Sequence, residues 1–155
     1  MRILVVSDTH GDFYSFDKAV KEQKSADVII HCGDSNDEVD RIKSIYKDKA
    51  VFAVKGNCDF CSPLESVETI TIEGKKIFIT HGHLFNAKMT LYNLCCVARE
   101  EKADIVVFGH THNALSEYDD GLYILNPGSL HGYNASYAYI DITENGIMTN
   151  IVKLK

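Results

Sequence analysis

The stretch ILVVSDTHGD, residues 3 to 12, joins a short apolar run to a cluster of polar residues. The run Ile3 to Val6 is rich in β-branched side chains and lacks alternating polar residues, which is typical of a strand buried on both faces. Asp8, Thr9 and His10 follow closely, so the strand is predicted to end at a polar loop. The further pairs of apolar run and polar cluster are residues 28–30 and 31–34, 50–54 and 55–59, 77–79 and 80–83, 105–108 and 109–112, and 122–125 and 126–129.

Amphipathic helices are predicted between several of these runs. Asp12 is the expected N-cap of the first helix, whose apolar face carries Phe16 and Val20. A capping-box pattern of Ser35 and Glu38 predicts the start of the second. The third is predicted from apolar residues at helical spacing, which are Leu91, Leu94, Cys95 and Ala98. Because strand and helix alternate, the first half is expected to form βαβ units with parallel strands and right-handed crossovers.

The C-terminal part is predicted to contain tight turns. Asp119-Asp120-Gly121 is typical of a turn, and Asn145-Gly146 lies between two strand-like runs at 139–142 and 147–152, which predicts a hairpin. The residues alone therefore favour an α/β fold with either one mixed sheet or two sheets packed together, and with helices outside. The length of 155 residues predicts one domain, residues 1–155.

The composition is that of an ordinary globular protein, with 45% hydrophobic and 25% charged residues. No apolar run reaches the ~20 residues of a membrane span, and the chain runs from Met1-Arg2 directly into a strand-like segment, so we expect a cytoplasmic protein without a membrane partner. The net charge of -6 argues against strong nucleic-acid binding. Five unevenly spaced cysteines do not predict a disulfide framework.

The polar clusters predict a shared site, because side chains that follow the carboxyl ends of strands meet at one edge of an α/β sheet. Asp8 and His10 are two residues apart, as are His110 and His112, and in extended chain such pairs point to the same side. Imidazole nitrogen mixed with hard oxygen suits Mn, Fe, Ni, Co or Zn. The glycines of the clusters suit turns where the backbone closes on a ligand, and they are Gly33, Gly56, Gly82 and Gly109.

Five motifs, in this order, resemble those of the calcineurin-like metallophosphoesterases. They are Asp8-Thr9-His10, Gly33-Asp34, Gly56-Asn57, His81-Gly82-His83 and Gly109-His110-Thr111-His112. The stretch Asn126-Pro127-Gly128-Ser129 extends the resemblance toward the short prokaryotic phosphodiesterase branch. The fold that the resemblance implies is a four-layer αββα sandwich of two mixed β-sheets flanked by helices.

The resemblance also implies a centre of two divalent transition metals bridged by Asp34. One ion would be held by Asp8, His10, Asp34 and His112, and the other by Asp34, Asn57, His81 and His110. The implied activity is hydrolysis of small phosphodiesters by a hydroxide that bridges the metals, with Mn as the preferred ion and Ni, Fe, Co or Zn as others. The residues expected to take part in catalysis are Asp34, Asn57, Cys58, Asp59 and His83.

Cys58 is the main departure from the family pattern. Many calcineurin-like enzymes have a histidine after Gly-Asn, where an imidazolium can protonate the leaving oxygen. A mostly neutral thiol is a weak donor, so Cys58 is either a small neutral wall, a modest acid or a space-filling residue. His83 either touches substrate or supports a ligand, and His31 and His131 are predicted to be structural or exposed.

Two other functions compete with a phosphoesterase. A eukaryotic retromer subunit shares this fold and works mainly by binding partners, although here every ligand position is filled. The pair Cys58-x-x-Cys61 is compatible with a zinc or redox module. The loops 59–66 and 113–121 are too short for a cap domain, so the site is expected to be open to small phosphoester substrates. The sequence leaves open a homo-oligomer.

Overall fold

The computed structural model describes residues 1–155 and contains ten strands and three α-helices. The helices are α1 (Phe13–Glu22), α2 (Val39–Ile45) and α3 (Tyr92–Glu100), and a short 3-10 helix spans His83–Phe85. The strands are β1 (Arg2–Val6), β2 (Val28–His31), β3 (Ala50–Ala53), β4 (Val67–Ile72), β5 (Lys75–Thr80), β6 (Ile105–Val107), β7 (Leu115–Asp119), β8 (Leu122–Asn126), β9 (Ser136–Thr143) and β10 (Gly146–Lys153).

The first sheet has the order β10-β9-β1-β2-β3. Strands β1, β2 and β3 are parallel, and Val5 is paired with Ile30 and Ile30 with Phe52. The predicted βαβ units are therefore confirmed, with α1 and α2 in the crossovers. Strand β9 lies antiparallel to β1 and brings the C-terminal hairpin into the same sheet.

The second sheet has the order β4-β5-β6-β8-β7. Its central strands β5, β6 and β8 are parallel, whereas both edge strands are antiparallel to their neighbours. Both sheets are mixed, and the carboxyl ends of their parallel strands carry the predicted polar clusters.

The alternation of side chains in β1 explains how the layers stack. Ile3 and Val5 point into the core between the two sheets, whereas Leu4 and Val6 pack against the side that carries α1 and α2. On the outer face of the second sheet, α3 contributes Leu94 to a third core cluster. The prediction of a four-layer αββα sandwich is thus confirmed. No helix is long and apolar enough to cross a membrane.

Two local predictions were wrong. The capping box does not form: α2 begins at Val39 with no side-chain cap, because the backbone amide of Asn36 donates to the Asp59 carboxylate and Asn36 and Asp37 adopt left-handed conformations, φ 52° and 62°. The loop predicted at 113–121 contains β7, whose residues are mostly exposed and polar because it is a sheet edge.

The other turn and cap predictions hold with small shifts. The side chain of Asp12 accepts the backbone N–H of Ser15 at 3.0 Å and caps α1. Residues Asp120-Gly121 join β7 to β8. In the C-terminal hairpin the two loop residues are 144 and 145, and Gly146 already pairs with Thr143.

Candidate metal centre

The predicted metal ligands lie in the loops that follow β1, β2, β3, β5 and β6, and the structure brings them together. Asp8, Asp34 and His81 form the buried floor, and each offers a ligand atom within 4.8 Å of the others. Asp8, His10 and His112 form a second such group. The remaining two, Asn57 and His110, are tied to His81: Asn57 Oδ1 lies 3.0 Å from His81 Nε2, and the His81 and His110 rings are 5.0 Å apart.

The carboxylate of Asp8 provides the clearest indication that these residues fit a cation. Its Oδ2 accepts the backbone N–H of His110 at 3.1 Å, but no hydrogen bond reaches Oδ1 although the atom is buried. The Nε2 atom of His112 lies 3.0 Å from Oδ1, and those of His10 and His81 lie 3.9 Å away. A buried carboxylate oxygen that faces three imidazole nitrogens without a hydrogen bond fits a shared metal ion.

Asp34 offers a ligand atom within 4.8 Å of ligand atoms of both His10 and His81. Its Oδ1 accepts the backbone N–H of Cys58 at 2.8 Å, and its Oδ2 lies 3.4 Å from His81 Nε2. Although burial acts to raise the pKa of Asp34, the hydrogen bonds from His81 and Cys58 outweigh it and hold that pKa well below its usual range. The carboxylate is therefore ionised, as a metal-binding carboxylate must be.

His81 is oriented by the backbone. Its Nδ1 lies 2.8 Å from the carbonyl oxygen of Cys32, which places a proton on Nδ1 and turns Nε2 toward Asp34 and Asn57. Burial lowers the pKa of His81, but Asp34 and Asp8 raise it by a larger amount. A cation bound at this position would be held by Nε2, because Nδ1 already bonds the backbone carbonyl oxygen.

The ligand loops are conformationally strained. Five of the predicted ligands adopt left-handed backbone conformations that non-glycine residues rarely populate: Asp8 (φ 53°), His10 (47°), Asp34 (56°), His110 (65°) and His112 (57°). Such residues cluster at functional sites, where the surrounding structure enforces them. The side chains converge through these bends, so the expectation that extended chain would align the pairs was wrong.

Two glycines allow the loops to approach the carboxylates. A Cβ atom on Gly56 would lie 2.0 Å from Asp34 Oδ1, and one on Gly109 would lie 1.9 Å from Ser7 Oγ and 2.6 Å from Asp8 Oδ2. Neither position tolerates a side chain, because the backbone itself packs against the ligand residues.

Three buried polar residues hold the ligand loops. Asp59 is among the predicted catalytic residues, but its carboxylate accepts backbone N–H groups of Asp34, Gly56 and Asn36, at 2.8, 2.8 and 2.9 Å. His31 accepts the N–H of Gly33 and contacts the hydroxyl of Thr9. The amide of Asn126 donates to the Gly109 carbonyl oxygen and to Thr111 Oγ1, at 2.9 and 3.1 Å. The sequence pattern placed Asn126 in a turn, but this supporting contact was missed.

The other predicted residues surround the centre. Cys58 is half-buried and offers its Sγ within 4.8 Å of ligand atoms of His10 and Asp34. Burial, followed by the nearby Asp34 carboxylate, raises the pKa of the Cys58 thiol, so it stays protonated at neutral pH. Cys61 is exposed and belongs to none of the three groups of candidate ligands, so the structure does not assemble a site from the two cysteines.

His83 and His131 lie at the rim. The ring of His83 is 5.4 Å from that of His81, and its buried Nδ1 has no hydrogen-bond partner. Burial and the neighbouring His81 lower the pKa of His83. His131 is exposed, with Nδ1 3.7 Å from the carboxylate of Asp12.

Lys88 is a charged neighbour that the sequence pattern did not indicate. Burial, then His81 and then Lys88 lower the pKa of His110 to about 4, so its imidazole is neutral and able to act as a ligand. The side chains of His112 and Asn57 are exposed, which makes this face of the centre accessible from solvent.

The family model described as the calcineurin-like phosphoesterase superfamily domain matches residues 1–145. The probable metallophosphoesterase YsnB of Bacillus subtilis is 40% identical over 131 residues, which cover 84% of this chain and 75% of YsnB. An archaeal phosphodiesterase of known structure superposes with a TM-score of 0.77 at 26% identity, covering 99% of this chain and 100% of the other.

The fold alone is also shared with Vps29 of Entamoeba histolytica, solved in complex with Zn²⁺. Its TM-score is 0.72 at 23% identity, covering 99% of each chain. The match of the family model along nearly the whole chain, and the identity to YsnB, agree with the cluster of carboxylates and imidazoles described above. The chain belongs to the calcineurin-like phosphoesterase superfamily.

Proposed function

We propose that this chain is a dinuclear metal-dependent phosphodiesterase that hydrolyses small phosphodiesters. The observation that carries the proposal is the buried Asp8 Oδ1, which lacks a hydrogen bond and faces three imidazole nitrogens. Asp34 offers ligand atoms close to His10 on one side and to His81 on the other, which fits a bridging position. The phosphodiesterase named among the similar structures supports the substrate class.

Each metal site has its own ligands in this proposal. Asp8, His10 and His112 hold one ion, Asn57, His81 and His110 hold the other, and Asp34 belongs to both. When bound, the two ions neutralise the anionic oxygens of the phosphate and lower the pKa of water, so that attack at neutral pH becomes feasible. The mixture of imidazole, carboxylate and amide ligands suits Mn, which we prefer, and also Ni, Fe, Co or Zn.

The remaining predicted residues act on the substrate or on the ligands. Asn57 orients the substrate through the part of its exposed amide that is not engaged with His81. His83 faces the same opening and supports the ligands or contacts the phosphate. Cys58 is a neutral wall beside Asp34, and Asp59 is a positioning residue that fixes the loops after β2 and β3.

The proposal is tested by hydrolysis of bis-p-nitrophenyl phosphate beside a panel of phosphomonoesters. We expect a chelator to stop turnover and Mn²⁺ to restore it, because the three arginines of the chain contact Asp141, Phe13 and Asp119 rather than the ligand residues. Asp34→Asn should remove activity more completely than His83→Ala, and Asp37→Asn, on the exposed part of the same loop, serves as the control. Absence of hydrolysis with every one of the five metals would contradict the proposal.

A scaffold function is the alternative, since Vps29 has the same fold. The complete set of ligands and their convergence favour an enzyme over a scaffold. A scaffold would bind metal without turnover, so the same assay separates the two.

A further inference from the structure

A groove of about 480 Å³ lies beside the centre, on the side of His110 and His112. Its apolar walls come from the segment before α3, from the end of β6 and from the start of β7, and they include Leu91, Phe108, Ala114 and Leu115. The polar residues that line it are Lys88, Thr111 and Asn113, and no acidic side chain lines the groove.

The groove borders the metal centre because residues that line it are neighbours of the ligand residues in the chain. Thr111 lies between His110 and His112, and Phe108 precedes His110 by two residues. Lys88 lines the same groove as Thr111, so its positive charge lies on the groove that adjoins the ligand segment. A molecule in the groove would therefore contact apolar walls and a lysine while lying beside two of the candidate metal ligands.

We propose that this groove is a subsite for an apolar, ring-sized arm of the substrate ester, with Lys88 attracting the phosphate. The inference rests on the proposed function, because it assumes that the phosphate binds at the metal centre. An anionic ester with an apolar substituent matches a lining that is mostly apolar and carries one lysine and no acidic residue, and an acidic or strongly polar arm does not. The volume is within the range of small-molecule sites and exceeds what one aromatic ring needs.

The test compares the binding of phenylphosphonate and methylphosphonate to the Mn²⁺-loaded protein by calorimetry. Both carry the same anionic group, so the difference reports on the arm. We expect phenylphosphonate to bind at least about tenfold more tightly, as a hydrophobic pocket does for a larger apolar group. Lys88→Gln should weaken both by a similar factor, roughly two- to fivefold because the lysine is exposed.

Two substitutions connect that preference to the groove. Ala114→Leu fills the groove and should bring the ratio of the two affinities close to one. Leu91→Ala removes an apolar wall and should also lower this ratio, so it serves as the second variant in case Ala114→Leu perturbs the fold. Ala50→Leu, at an exposed alanine at the opposite end of β3 from the centre, is the matched control and should keep the ratio of the unmodified protein.

The outcomes separate the subsite from the activity. Equal affinity for the two phosphonates, or a preference that survives both groove substitutions, overturns the subsite while the phosphodiesterase proposal stands. If neither phosphonate binds the metal-loaded protein, the subsite and the proposed function both fail.

Discussion

At the scale of single residues, His31 is a buried residue that holds the ligand loops in place without being a ligand itself. Its ring is fully buried, Nδ1 accepts the N–H of Gly33 at 3.2 Å, and Nε2 therefore carries the proton that is donated to Thr9 Oγ1 at 3.1 Å. Burial lowers the pKa of His31 from 6.5 to about 4, so the folded protein keeps the imidazole neutral at a pH where the unfolded chain protonates it.

This shift predicts a loss of stability in mild acid. Between pH 6.5 and 4 the unfolded state binds a proton that the folded state does not. The contribution of His31 to the free energy of unfolding is therefore complete above pH 6.5 and is lost as the pH falls toward 4. In metal-free protein, lowering the pH from 7.5 to 5 should cost about 2 kcal/mol more unfolding free energy in the native chain than in His31→Gln. Urea unfolding at both pH values measures this. Parallel pH profiles for the two proteins would show that His31 is not the group responsible.

Cys58 is the residue at which this chain departs from the family pattern. Its thiol is neutral, so we expect little help to poor leaving groups, for which a general acid is worth roughly 10²- to 10⁴-fold. Cys58→His should therefore raise turnover of an unactivated ester, such as an alkyl phosphate, relative to a nitrophenyl diester, at unchanged metal content. Cys58→Ser should leave the nitrophenyl diester nearly unaffected. Loss of that activity in Cys58→Ser, with metals still bound, would mean that the thiol itself is required.

At the scale of elements, the loops after β2 and β3 behave as one unit because Asp59 joins them. Its carboxylate accepts the backbone N–H of Asp34, in the loop after β2, and that of Gly56, in the loop after β3. Asp59→Asn replaces an accepting oxygen with a donor, so at least one of these amides loses its partner. We expect metal affinity to fall by roughly 10- to 100-fold, as for other residues that position ligands. Calorimetric Mn²⁺ titration checks this against Asp37→Asn, an exposed aspartate of the same region. Equal affinities in the two variants would contradict the positioning role.

Most of the strands that the sequence predicted are covered on both faces, whereas the β9–β10 hairpin was predicted from its Asn-Gly turn. Strands β1, β2, β3, β5, β6 and β8 are marked by continuous apolar runs because helices or the other sheet cover them. Strands β4 and β7 were missed because they are the two edges of the second sheet, where exposed faces carry polar residues. The capping box at Ser35 fails because of a tertiary contact. The backbone amide of Asn36 donates to Asp59, which lies 23 residues away in the sequence.

At the scale of the whole molecule, the order of motifs predicted which ligand residues to examine but not how they converge. The left-handed bends at five of them, and the contacts of Asn126 and His31 with the ligand loops, depend on partners far away in the sequence. The groove at Lys88 is likewise assembled from separate segments. One domain, a cytoplasmic location, weak affinity for nucleic acid and a homo-oligomer remain predictions.

The account depends most on the statement that seven residues form two metal sites that share Asp34. The direct measurement is the number of Mn²⁺ ions bound per chain at saturation, determined by elemental analysis of metal-free protein after titration. We expect two ions in the native chain and a joint loss of both in Asp34→Asn, because the Asp34 carboxylate lies close to His10, a ligand of one proposed site, and to His81, a ligand of the other. A saturation value of one ion or fewer in the native chain would contradict it.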